Sequence, residues 1–136
     1  VNKKKLKLSQ FNILKAVLTI SLLCISNIFM TLAWYGHLKF KEMEWSKSLG
    51  LIAIILISWG IAMFEYIFQV PANKYGFKGN GGPFSLLELK MVQEALSIGI
   101  FLIFTLFFFK NEKIAWNHLV GFAFLMLAVF FVFLKK

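Results

Sequence analysis

Two carboxylates stand where a carboxylate is costly. Glu65 lies in the apolar run LGLIAIILISWGIAMFEYIFQV, and Glu94 lies near the start of another that ends in LIFTLFFF. If both runs cross a bilayer as helices, the 1.5 Å rise per residue puts Glu65 about 8 Å and Glu94 about 12 Å deep, in the same leaflet. An ionisable group at such depth marks an ion or proton route, or it pairs with another polar group. Helical spacing supplies companions. Ser58, Ala62, Glu65, Gln69 and Asn73 share one face, as do Lys90, Gln93, Glu94 and Ser97. Lys90 and Glu94 are spaced to pair at i,i+4. Asn27, with Ser26 beside it and Thr31 one turn on, falls near the middle of a third apolar run. Asn27, Glu65, Gln69, Lys90, Gln93 and Glu94 are therefore the candidate lining of a solute or ion pathway, with a proton carried by Glu94 or Glu65. Plainer readings stand beside this one. Lys90 neutralises a carboxylate and fixes helix register, and Ser26 and Asn27 serve as interhelical hydrogen-bonding groups.

Other chemistry finds little footing. The chain has no Asp, which excludes a Ser-His-Asp triad, and neither G-x-S-x-G nor H-E-x-x-H occurs. Cys24 is the only cysteine, and His37 and His118 are far apart, so no disulfide or metal spacing exists. No catalytic residue, metal or cofactor is expected. The one enzymatic arrangement the residues permit is an acid/base pair of Glu65 and Glu94. The glycine-rich stretch PANKYGFKGNGGPFS lacks the Gly-Lys-Ser/Thr ending of a phosphate-binding loop and reads as a flexible turn.

Composition fixes the surroundings. Of 136 residues, 60% are apolar and 17 are Phe, more than a soluble domain of this size can bury. The 15 basic residues are all Lys, giving a net charge of +9. They sit between apolar runs and not in one patch, and no Arg is present to read nucleic acid. The expected partner is the lipid bilayer and not nucleic acid.

The fold class that follows is an all-α membrane protein, a single domain over 1–136 with four spans at about 17–38, 49–70, 86–109 and 116–134, each near the 20 residues that a bilayer needs. The leading KKKLKL resembles a signal-peptide start, but the apolar stretch behind it is too long and lacks a cleavage site, so a retained helix is expected. Ser85 and Glu88 form an S-x-x-E capping box, with Phe84 and Leu89 as its hydrophobic staple, so the third helix starts at Leu86. Ten lysines, among them Lys3, Lys4, Lys5, Lys7, Lys135 and Lys136, fall on one side. Five, namely Lys39, Lys41, Lys47, Lys110 and Lys113, fall on the other. The positive-inside rule puts both termini in the cytoplasm of a bacterial inner membrane. Without the N-terminal tail the two sides balance, so a dual topology stays open. Trp34, Tyr35, Trp45 and Trp116 read as interfacial anchors. Trp59 and Tyr66 lie deeper and are candidates to line a cavity.

The runs SNIFMTLAWYGHLK (26–39), SWGIAMFEYIFQVPANKYG (58–76) and LKMVQE (89–94) resemble an uncharacterised family of short four-helix proteins in the drug/metabolite transporter superfamily. The ending FFKNEKIAWNHLVGFAFLMLAVFFV, with Glu112 in a tight turn followed by Gly121 and a last apolar helix, resembles the ending of that superfamily, which includes the small multidrug resistance and EamA-type transporters. The resemblance implies a compact bundle that is half of a dimeric transport unit, a homodimer formed through the fourth helix, where Gly121, Ala123 and Ala128 would allow close approach. It implies transport of a small solute of unidentified chemistry. A membrane scaffold or accessory subunit is the alternative. One departure bears on mechanism. The small multidrug exporters use a Glu in helix one, and 17–38 contains no carboxylate, so any proton coupling falls to Glu94 or Glu65.

Overall fold

Four α-helices hold most of the described residues. The computed structural model describes residues 2–40, 43–44 and 47–134; Lys41, Trp45, Lys135 and Lys136 lie outside the described residues. The helices are α1 (Asn2–Phe40), α2 (Leu51–Gly76), α3 (Leu86–Phe108) and α4 (Trp116–Phe133). Each is long and apolar enough to cross a membrane, and no β-strand occurs among the described residues.

Two helices outrun their expected bounds. No Gly or Pro interrupts α1 before Gly36, and its Lys- and Leu-rich start is made of good helix formers, so the helix begins at Asn2. Its 39 residues reach about 58 Å, roughly twice the hydrocarbon core. α2 likewise continues past the expected span end at Val70. Pro71 lies inside the helix, which continues to Gly76. Proline removes one backbone donor, and packing of the next turn outweighs that loss. Ala72 and Gly76 are buried, and a Cβ on Gly76 would stand 2.6 Å from Thr19 Cγ2 and 2.9 Å from Leu89 Cδ2. Three helices thus meet at a position that admits only hydrogen.

The connection after α2 is correspondingly short, and it is tied down where a flexible turn was expected. Lys78 N–H donates to the Phe84 carbonyl at 2.7 Å, Phe84 N–H to that of Gly76 at 2.8 Å, and Gly82 N–H to that of Phe77 at 2.9 Å. A 3₁₀ turn at Lys78–Asn80 closes on Gly81, whose φ of 82° is the left-handed conformation that suits glycine. Lys15 Nζ reaches from α1 to the Gly81 carbonyl at 3.1 Å. The capping box at α3 forms as the sequence predicts: Glu88 N–H donates to Ser85 Oγ at 3.2 Å, and both staple residues, Phe84 and Leu89, are buried.

Packing is centred on α1. It lies against α2 and α3, while α4 packs mainly on α3, with Phe133 edge-on to Phe84 of the loop at 6.1 Å. The largest fully buried side chains, Thr19, Leu23, Ser26 and Asn27, all belong to α1. Phe29 stacks between Phe64 and Phe68 of α2, at 5.6 and 5.7 Å. No residue of α4 is buried. Gly99 faces α4, with the Phe122 ring 4.0 Å from where a Cβ would sit.

Candidate functional site

The polar faces of the first three helices turn toward one another. Ser26 Oγ on α1 donates to Gln69 Oε1 on α2 at 2.6 Å. Gln69 Nε2 donates in turn to Gln93 Oε1 on α3 at 3.0 Å. Gln69 is only 8% exposed. This thread of side chains crosses three spans at one level, and each member uses a group that hydrocarbon would otherwise leave unpaired. Ser26 thus has the interhelical role the sequence assigns it. Its spacing on α1 was the available signal, although it was not placed in the pathway set.

Asn27 behaves differently from Ser26. Its Nδ2 donates to the Leu23 carbonyl of its own helix at 2.7 Å. Its Oδ1 is buried and accepts nothing, so no interhelical bond forms there. Thr31 caps its hydroxyl on the Asn27 carbonyl at 2.8 Å. An enclosed acceptor without a donor is rare in a folded protein and marks a place where water or a ligand can be held.

The two carboxylates separate. Glu65 lies one turn from Gln69 on the inward face of α2, half-buried, and no hydrogen bond or ion pair reaches it among the described residues. Because α2 runs on to Gly76, Glu65 stands eleven residues from the helix end, about 16 Å along the axis, where a span ending at Val70 gives about 8 Å. Glu94 lies on the flank of α3, its side chain 43% exposed and paired with Lys90. The six candidate residues therefore split into an internal group (Asn27, Glu65, Gln69, Gln93) and a lateral ion pair (Lys90, Glu94). Trp59 and Tyr66 are exposed on the outer surface of α2.

Gln93 also floors a hollow of about 360 Å³ at the loop end of the molecule, walled by Asn73, Phe77, Asn80, Leu89 and Lys90. The hollow opens beside the 77–85 loop, so a polar solute entering there meets Lys90 first and the thread next.

Four apolar helices, the first three joined by a thread of polar side chains, define a multi-pass membrane protein. Residues 19–133 match the family described as "Putative member of DMT superfamily (DUF486)", and the chain belongs to that family. No curated protein and no solved structure matches the chain.

Proposed function

We propose that the protein carries a small polar or cationic solute across the membrane, with the internal group as the deep part of its route. The observation that supports this is the orphaned Asn27 Oδ1. It lies beside a hydrogen-bonded thread whose last member, Gln93, is reached from the loop end. A solute that donates hydrogen bonds would find an acceptor there without displacing an existing bond. Glu65 is the better candidate for binding a proton or a cationic group, since it is inward and unpaired, whereas Lys90 already neutralises Glu94. The test is charge movement in proteoliposomes challenged with amines, cations and small metabolites across a pH gradient. Wild type is expected to give a current that falls to background in Glu65→Gln and persists in Glu94→Gln. A current that survives Glu65→Gln removes this assignment.

The transporting unit is a homodimer, because four helices enclose little room for a solute. Support comes from α4, which packs chiefly on α3 and buries none of its own residues. The small residues of α4 do not form one stripe. Gly121 and Ala128 are seven apart and share a face, while Ala123 is turned about 200° from Gly121.

A scaffold reading keeps one specific support: hydrogen bonds link Ser26, Gln69 and Gln93 across three helices, as internal glue would. Water access separates the two. In a chain with Cys24→Ala, a Gln93→Cys thiol reacts with a small charged reagent if the hollow is a vestibule. It stays unmodified if the thread is only glue.

A further inference from the structure

A cleft of about 590 Å³ opens on the flank of the molecule, between the end of α1, the second half of α3 and the start of α4. Its volume is typical of clefts that hold one small ligand, about 300–1,000 Å³. The walls are apolar, with Tyr35 against Phe101 at 4.8 Å on one side and Phe122 and Leu125 on the other. The rim is not apolar: Glu112, Lys113 and His118 line the mouth at the α3–α4 turn. The lining runs from Ile98 on α3 to Phe109 just past its end, about 15 Å at 1.5 Å per residue. Half of a bilayer's hydrocarbon core is about 15 Å. The cleft is thus one leaflet deep, with its charges at headgroup level, where the exposed Trp116 also lies.

The rim chemistry narrows the occupant. Among the described residues, the side chains of Glu112 and Lys113 have neither hydrogen bond nor ion pair. His118 Nδ1 accepts the Ala115 N–H at 3.1 Å, which leaves Nε2 of the neutral ring to carry the proton and donate outward. The mouth therefore offers one carboxylate in want of donors beside two donors in want of an anion. Lys39 and Lys110 lie in a neighbouring hollow that shares Glu112. A phosphate joined to a primary ammonium satisfies both sets. A choline head has no N–H to give Glu112, and a glycerol head brings no cation.

We propose that this cleft holds one phospholipid of the ethanolamine type. An acyl chain lies along α3, the phosphate faces Lys113 and His118, and the ammonium meets Glu112. Gly121 makes the room, since nothing lies within 4 Å of where its Cβ would be. The site is separate from the internal thread and does not depend on the transport reading.

The test is native mass spectrometry of the full chain from mixed micelles holding equal amounts of ethanolamine, choline and glycerol phospholipids with identical acyl chains. Wild type is expected to retain one ethanolamine lipid, preferred over choline by about tenfold, the factor of one charge-assisted hydrogen bond at its low end. Glu112→Gln, on an exposed turn, is expected to bind lipid but lose the preference. Gly121→Leu, which fills open space, is expected to lose the bound lipid while keeping wild-type helicity by circular dichroism. Equal retention of choline lipid, preference for the glycerol lipid, or full retention in Gly121→Leu would each overturn the proposal. So would a lipid-free dimer in which cysteines placed at Leu125 cross-link between copies, because a second chain would then fill the cleft.

Discussion

Gln69 and Asn27 are both buried amides, yet they contribute oppositely to stability. Gln69 makes two interhelical hydrogen bonds, while Asn27 satisfies only its Nδ2 and keeps Oδ1 bare. An interhelical hydrogen bond in a membrane protein contributes about 0.6 kcal/mol on average and up to about 1.7. Gln69→Leu removes both bonds and strands Ser26 and Gln93, so a loss of about 1–3 kcal/mol is expected in reversible unfolding by mixed detergent. Asn27→Leu removes an uncompensated buried oxygen and is expected to be neutral or stabilising, while transport falls. If the two variants unfold alike, the orphaned oxygen is satisfied in the membrane and the argument built on Asn27 fails. The sequence could place both amides on inward faces by their spacing. It could not say which would find a partner, because that depends on the rotation of each helix about its axis, which the packing of all three helices decides.

At the level of the elements, local signals were reliable where local energy decides. The S-x-x-E box at Ser85 forms because its two bonds are made within one turn. Apolarity marks a span end at Val70, but it does not end the helix, because the backbone bond lost at Pro71 is outweighed by packing beyond it. Gly76, beyond the proline, seats α2 against Thr19 and Leu89, and membrane helices tolerate an internal proline in such settings. Nor could composition reveal that the glycine-rich stretch is a clasp. Gly82 is the tightest point of that clasp: a Cβ there would run into the carbonyls of Gly76 and Tyr75. Backbone cannot swing aside as a side-chain tip can. Gly82→Ala is therefore expected to cost about 1–3 kcal/mol. It should also speed hydrogen exchange at the amides of Lys78 and Phe84, which bond across the loop. Unchanged exchange at both amides would show that the loop relaxes around the methyl group and that α2 and α3 are not registered by it.

The whole molecule is lopsided: α1 is central, α4 is peripheral, and the internal polar group sits among the first three helices without a fourth wall. Such an arrangement is incomplete as a conduit and suits a pair of chains. A two-fold pair brings the same surface of each copy together, so a residue near the helix midpoint approaches its own copy whether the chains run parallel or antiparallel. Ala123 is such a residue, close to the middle of Trp116–Phe133 and small enough for close approach. It points away from the cleft that Gly121 lines. With Cys24→Ala as background, Ala123→Cys is expected to form an oxidised dimer in the membrane at low expression, and Gly121→Cys is expected to stay monomeric under the same oxidant. The reverse pattern would place the second chain in the cleft and leave no room there for lipid. Cross-linking at neither position would mean that α4 meets only lipid, and the internal group would then be a device for holding three helices together.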